Sequence, residues 1–288
     1  MDSVLQQISD WLKELLVTAI MSNLSGTFDS VNDQVRDIAG LVGQTPANFM
    51  PGVFNLVKNL TETVVLPIAG IILTFIACYE LIQLVVSHNN LANFETWIFF
   101  KWIFKTFVAV TLISNTFNIT MAVFDVAREL ILQSGGLISG TPEIDASALA
   151  YMQSNLEAME VAELFAILME SCITKVLLQI LAIIIFVIVN GRMIEIYLTV
   201  SLAPIPFATF GNKEQSQVGQ NYFRGLWALA LQGFLMMICV GIYSMLISSV
   251  AFNNDIMGSL WRVMGFTVLL AFTLFKTGSI AKSILHAH

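Results

Sequence analysis

Long apolar runs constrain this chain more than any other feature, because each is close to the length of one membrane crossing. A helix needs about 20 mainly apolar residues to cross the hydrocarbon core of a bilayer. Of the 288 residues, 57% are hydrophobic and 11% are charged, with a mean hydropathy of +0.79, whereas soluble domains carry about 25% charged residues. The sequence therefore predicts an all-α fold, a polytopic membrane helix bundle with about five transmembrane helices. The predicted crossings lie near residues 63–87, 97–124, 163–189, 222–250 and 260–282.

A further apolar segment, residues 193–210, contains Pro204 and Pro206. Each proline lacks an N–H and disfavours helix in the residue before it, which predicts extended backbone at Ala203 and Ile205. Such backbone is tolerated at membrane depth only where protein or water covers it. We therefore predict a short or re-entrant element here, with a kinked ordinary helix as the alternative.

The distribution of Lys and Arg favours the re-entrant element. With five crossings, one side of the membrane collects seven basic residues and the other collects five, and cytoplasmic loops carry an excess of Lys and Arg. This predicts an N-terminus outside and a C-terminus inside. The interval 133–163 has five acidic residues and no Lys or Arg, which predicts an acidic external loop. Lys213 and Arg224 then lie inside, as basic contacts for cytoplasmic components.

The N-terminal region, residues 1–62, has the pattern of amphipathic and coiled-coil-like helices and is predicted to be extracytoplasmic, ahead of a transmembrane domain at 63–285. Its second apolar stripe advances in steps of four and three residues, which is the spacing of a coiled-coil seam. The seam can pack on the chain's own membrane domain or on another subunit, and the pattern does not decide between them. Thr45 and Pro46 suit the cap and first turn of a new helix. The candidate partner-docking residues are Leu24, Phe28, Val31, Val35 and Ile38.

Charged residues inside or beside the apolar runs are candidates for a pore lining or for pairs between helices, because an unpaired charge is costly there. Arg192 and Glu195 are three residues apart on one helix, so a mutual pair is expected. Glu80 needs a basic residue from another helix, a water-filled lumen or a proton. The full candidate set is Glu80, Lys101, Lys105, Glu170, Lys175, Arg192 and Glu195.

Small residues predict close contacts between helices. The candidate packing glycines are Gly233, Gly241, Gly258 and Gly265. No phosphate-binding loop, metal-protease or serine-hydrolase pattern is present in the sequence, so we expect no enzyme activity, no catalytic or metal site and no cofactor.

The run GRMIEIYLTVSLAPIPFATFGNKEQSQVGQNYFRGLWALALQGF, together with ETWIFFKWIFKTFVAVTLISNTFNITMAVFDVA, resembles the TrbL-type polytopic membrane subunit of conjugative type IV secretion systems. The likeness is greatest to the short forms carried by integrative conjugative elements of Gram-positive bacteria. It extends over residues 1–285 and is most specific at 190–235.

The resemblance implies a multi-pass protein of the bacterial cytoplasmic membrane that forms a homo-oligomeric ring. Its expected partners are other secretion subunits, namely the stalk, the inner-membrane scaffold and the ATPases, together with the lipid bilayer and transferring single-stranded DNA. The implied function is a channel or scaffold subunit that helps relaxase-bound single-stranded DNA across the membrane. Two alternatives stay open from the sequence: a secondary transporter, and a structural scaffold without a conduit.

Overall fold

The computed structural model describes residues 2–87, 96–137, 146–212, 214–250 and 256–287, and all regular structure in these ranges is helical. The α-helices are α1 Asp2–Val42, α2 Pro46–Phe49, α3 Pro51–Leu60, α4 Leu66–Ser87, α5 Thr96–Ser114, α6 Thr116–Leu137, α7 Ala146–Ala158, α8 Val161–Ser201, α9 Pro204–Ala208, α10 Ser216–Ser248 and α11 Ile256–Ile284. A π-helical turn, Thr61–Val65, joins α3 to α4, and a 3₁₀ turn, Thr209–Gly211, follows α9.

Five helical segments of the described ranges are long and apolar enough to cross a membrane, which confirms the predicted polytopic all-α bundle. These segments are Pro51–Val86, Trp97–Ser114, Val161–Gly211, Ser216–Ser248 and Ile256–Ile284. The proline segment belongs to the third of them and adds no sixth candidate span.

The backbone at the prolines differs from the prediction. Helix α8 continues without a break through residue 193 to Ser201, and Ala203 adopts right-handed helical angles, φ −50° and ψ −39°. Ile205 lies inside α9. The expected extended geometry at Ala203 and Ile205 is wrong because the proline bias is a local preference, and here the surrounding packing, in which Ala203 is fully buried, overrides it.

The apolar stretch 97–124 is divided between α5 and α6 at Asn115. The Asn115 side chain donates to the carbonyl of Thr111, and the Thr116 hydroxyl lies within hydrogen-bond distance of the carbonyls of Leu112 and Ile113. Such side chains compete with the backbone ladder and bend helices. At the other helix start singled out in the sequence, Thr45 caps α2 by accepting from the Asn48 N–H, and Pro46 occupies the first turn, as predicted.

The chain forms two compact units. The first unit comprises Met1–Val42, Gln133–Val189 and Met236–Lys276. Its core brings α1 together with α7, the start of α8 and the start of α11, through residues such as Ile20, Leu156, Leu164 and Leu260.

The second unit comprises Gly43–Leu132, Asn190–Leu235 and Thr277–His288. One part of its core joins α6, the end of α8 and α10, and includes Phe124, Met193 and Leu226. Another part joins α4, α5 and α9. Neither unit follows the predicted boundary at residue 62, because residues 43–62 pack with the second unit.

Candidate functional site

The proline turn between α8 and α9 is the most irregular part of the second unit. Because the N–H groups of Ala203 and Ile205 bond to Val200 and Leu202, three residues back, the carbonyls of Thr199 and Ser201 lose their helical donors. A hydroxyl group from another helix replaces one of those donors, since Tyr222 of α10 donates to the Thr199 carbonyl at 2.9 Å. The Thr61 hydroxyl of the π-helical turn lies 3.3 Å from the Ser201 carbonyl oxygen and 2.8 Å from the Val57 carbonyl oxygen.

Thr209 completes the turn on its other side. Its hydroxyl donates to the Pro206 carbonyl at 2.8 Å and accepts from the Gly219 N–H at 3.0 Å. That N–H belongs to the first turn of α10, where backbone donors have no helical partner. A Cβ on Gly219 would lie 2.8 Å from the Pro206 carbonyl oxygen, so the approach of α10 to the turn requires glycine at this position.

Helix α9 is enclosed by the chain itself. Phe207 and Ala208 pack with Ala69 and Leu73 of α4 and with Ala109 of α5. The broken helix is therefore covered by protein, which is the condition for irregular backbone at membrane depth. The geometry is that of a brace, which fixes α4, α5, α8 and α10 at one point.

Glu80 forms an ion pair with Lys105, which joins α4 to α5. The Trp102 indole N–H donates to the Ala77 carbonyl at 3.2 Å and reinforces the same contact. The sequence left three alternatives open for Glu80, namely a basic residue from another helix, a water-filled lumen or a proton, and the structure shows the first of them, with Lys105 as the partner. Lys101, one helical turn before Lys105, is exposed.

Arg192 does not form the expected pair with Glu195. Its side chain is 5% exposed, and its Nε donates to the Leu229 carbonyl at 3.3 Å. Glu195 pairs instead with Lys282 of α11 at 3.2 Å. The two partners lie on other helices, so spacing along α8 could not reveal them.

Gly233 makes room for Arg192. A Cβ at residue 233 would lie 2.6 Å from an Arg192 guanidinium nitrogen and 2.8 Å from Ile131. The predicted close packing at Gly233 thus accommodates a buried cation. Gly241 is buried and Gly258 is partly buried. Gly265 is exposed with no atom within 4 Å of the position of a Cβ, so its predicted packing role stays a prediction.

The comparison with family models gives one match. The model of the TrbL/VirB6 plasmid conjugal transfer like proteins matches residues 31–204, which is more than half of the chain. The chain belongs to the TrbL/VirB6 family. No curated protein and no solved structure gives a significant match.

Family membership and the five apolar helices make this chain a multi-pass membrane component of conjugal transfer, a machine with other subunits. The family is known for a structural role in conjugation and is not known for enzyme activity. The described ranges contain no group of three or more His, Cys, Asp or Glu side chains that could hold a metal ion.

In this TrbL/VirB6 protein the predicted docking face is covered by the chain. All five of its residues are buried, and Leu24 and Phe28 belong to the core of the first unit. Of the two alternatives that the sequence left open, the burial of these residues within this chain favours packing of the seam on the chain itself.

The other candidate charges occupy different surroundings. Lys175 donates to the side chain of Asn23 on α1 at 3.3 Å. Glu170 is half-buried on α8, and Arg224 is exposed on α10. Lys213 lies outside the described residues. Part of the predicted acidic loop, 138–145, also lies outside them, and the rest belongs to α6, α7 and the start of α8.

Proposed function

We propose that this TrbL/VirB6 protein forms a homo-oligomeric channel subunit that helps relaxase-bound single-stranded DNA across the bacterial cytoplasmic membrane. The observation that carries the proposal is the family match over residues 31–204 on a chain with five helices of membrane length. Its partners in the proposal are the stalk, the inner-membrane scaffold and the ATPases of a type IV secretion machine.

The proposed topology places the N-terminus outside and the C-terminus inside. An odd number of crossings puts the two ends on opposite sides, and the single candidate span Val161–Gly211 supports five crossings. The excess of Lys and Arg on the C-terminal side supports the inward orientation of that end.

A test of the topology uses single cysteines at positions 145, 213 and 284 in a chain whose Cys78, Cys172 and Cys239 are replaced. An impermeant thiol reagent added to intact cells should label position 145 alone. Labelling of position 213 or 284 from outside would overturn the proposed topology.

The side-chain contacts narrow the candidates for DNA contact. Glu80 and Lys105 neutralise one another, and Arg192 is buried against Leu229 and Gly233. Their proposed role is therefore to hold helices together. Among the candidate residues that the structure describes, Lys101 and Arg224 are exposed and can reach phosphate groups, which bind Lys and Arg.

Site-specific crosslinking separates a channel from a scaffold. A photo-reactive amino acid at Arg224 should capture transferring DNA in donor cells during mating, whereas the same group at Phe275, an exposed apolar position on α11, should not. Capture at neither Arg224 nor Lys101, with transfer intact, would favour the scaffold. The transporter would be favoured by two results together. Deletion of the gene would leave DNA transfer unchanged, and the chain in vesicles would take up a small solute.

A further inference from the structure

A cleft of about 450 Å³ lies within the second unit, between α8, the first half of α10 and the end of α11. Helix α10 lines it with Tyr222, Gly225 and Leu229, among others. A Cβ on Gly225 would have no atom within 4 Å, so the lack of a side chain at this position keeps the cleft open. Its volume is that of a site for a small molecule or a headgroup.

The end of α11 builds one wall of this cleft. His286 adopts left-handed backbone, with φ 49°, and the Ala287 N–H donates to the Lys282 carbonyl at 2.9 Å. This bond is typical of a Schellman motif, which ends a helix and satisfies its last carbonyls. The motif turns the chain back, so that Ala287 lines the cleft together with Lys282.

The cleft lies where three candidate spans approach the same membrane surface. Its α8 residues lie toward the end of Val161–Gly211, its α10 residues lie in the first half of Ser216–Ser248, and Lys282 lies in the last turn of Ile256–Ile284. Successive spans cross a membrane in opposite directions, so these three ends belong to one side. The cleft is therefore near the boundary between hydrocarbon and headgroups on the side of residue 284.

One anion and one cation line the cleft. The Lys282 Nζ lies 3.2 Å from a Glu195 carboxylate oxygen, and both side chains are about half exposed. An ion pair this open contributes little to stability, so a ligand can separate the two groups at small cost. A cation beside an anion is complementary to a zwitterion, because each charge of the ligand meets its opposite. The Asn221 amide, which also lines the cleft, adds a hydrogen-bonding group.

Exposed apolar side chains flank both charged residues. Ile194 and Leu198, beside Glu195 on α8, are 57% and 64% exposed, and Ile280 and Ile284, beside Lys282 on α11, are 47% and 61% exposed. Charged groups next to exposed apolar ones at the end of a span match the boundary between headgroups and acyl chains. A soluble zwitterion would leave these apolar side chains in water, whereas a phospholipid covers them.

We propose that this cleft binds the headgroup of a phospholipid with a primary ammonium group, such as phosphatidylethanolamine. The Lys282 ammonium contacts the lipid phosphate, and the Glu195 carboxylate accepts hydrogen bonds from the lipid ammonium. A choline headgroup has the same two charges but no N–H to donate, and a glycerol headgroup has no cation for Glu195. The inference goes beyond the proposed function and does not depend on the passage of DNA.

Native mass spectrometry of the full-length chain in detergent tests the choice of lipid. Phosphatidylethanolamine, phosphatidylcholine and phosphatidylglycerol with identical acyl chains are added at equal concentrations. We expect the ethanolamine lipid to bind about fivefold more tightly than either of the others, which is the upper range for one exposed charged contact. Equal binding of all three lipids would overturn the proposal.

Substitutions test the place of binding. Glu195→Gln should remove the preference for ethanolamine over choline, and Lys282→Met should weaken the binding of both lipids. Gly225→Leu leaves both charges in place but fills the cleft, so it should also weaken both. Lys276→Met is the matched control, because it removes an exposed cation of α11 that does not line the cleft. A preference that survives both Glu195→Gln and Gly225→Leu would overturn the site, and thermal unfolding without lipid verifies that each variant is folded.

Free phosphoethanolamine distinguishes a lipid from a soluble ligand with the same charges. It should displace phosphatidylethanolamine only in large excess, because it has no acyl chains to cover the apolar side chains beside the cleft. Displacement at a concentration equal to that of the lipid would overturn the assignment to lipid and indicate a soluble phosphate ester instead.

Discussion

The proline turn of the second unit differs in its hydrogen bonding from a groove in the first unit, which residues 34–41 of α1 and 182–189 of α8 line. At the turn, the Thr199 carbonyl accepts from the Tyr222 hydroxyl of the same unit. In the groove, the buried Gln34 amide has no hydrogen-bond partner among the described residues. A polar group is thus hydrogen-bonded within the chain at the turn but not, among the described residues, at Gln34. Removal of a polar side-chain group should therefore lower the stability of the chain at the turn and raise it in the groove.

The largest effect is expected from Gly219→Ala. The new methyl group would meet the Pro206 carbonyl oxygen at 2.8 Å, and forced overpacking costs about 1–3 kcal/mol. Gly225→Ala in the same helix is the matched control, since a Cβ there has no atom within 4 Å. Thermal unfolding in detergent should show a lower midpoint for Gly219→Ala alone. Equal midpoints for the two variants would mean that α10 does not approach the turn so closely.

Removal of one hydroxyl from the turn should cost slightly less. Tyr222→Phe removes the donor to the Thr199 carbonyl at a part-buried contact, and a typical hydrogen bond contributes about 0.5–1.5 kcal/mol. Tyr79→Phe is the control, because the Tyr79 hydroxyl accepts from Gln83 on an exposed surface. Unfolding in detergent should separate the two variants. A Tyr222→Phe chain as stable as the control would show that the carbonyl does not depend on this hydroxyl.

Gln34→Leu should have the opposite sign. Because neither amide atom has a hydrogen-bond partner in the part of the chain that the structure describes, an apolar side chain of similar size removes a desolvation penalty and should stabilise the detergent-solubilised chain by about 1 kcal/mol. Gln153→Leu, at an exposed amide that donates to Glu157, should give no such gain. If the Gln34→Leu chain were less stable than the unsubstituted chain, the predicted difference between the two regions would be wrong.

The smallest effect is expected at the ion pair of Glu195 and Lys282, whose side chains are 45% and 49% exposed. Glu195→Gln should change the free energy of unfolding by less than about 1 kcal/mol, because exposed pairs contribute little. Added salt should shrink the difference further. A difference that persists at high salt would indicate a desolvated pair, and Lys282→Met provides the reciprocal check.

The features predicted correctly from the sequence depend on short-range physics. The membrane helices follow from the length of apolar runs, and the start of α2 follows from a cap residue and a proline side by side. Arg192 marks the limit of such reasoning. Its neighbour three residues on, Glu195, was the only partner that spacing could suggest, whereas Leu229 and Gly233 come from another helix. Lys105 was a candidate charge from the start, but only the packing of α4 against α5 pairs it with Glu80.

The candidate site could be predicted only in part, because local sequence patterns do not identify contacts between helices. Pro204 and Pro206 marked an irregular element, but nothing in the sequence distinguishes Tyr222, whose hydroxyl donates to the Thr199 carbonyl. The seam on α1 was visible as a periodic pattern. The residues that pack against it, Leu164 on α8 and Leu156 on α7, lie more than a hundred positions away along the chain. A periodic pattern contains no information about partners at that distance.

The separation between α1 and α8 also has a consequence during synthesis. Ribosomes add about 5–20 residues per second, so the 148 positions between Asn23 and Ser171 correspond to roughly 7 to 30 s of translation. Throughout that interval α1 is already made and has no α8 to lie against. The packing of α1 against α8 is therefore a late step in the folding of the first unit.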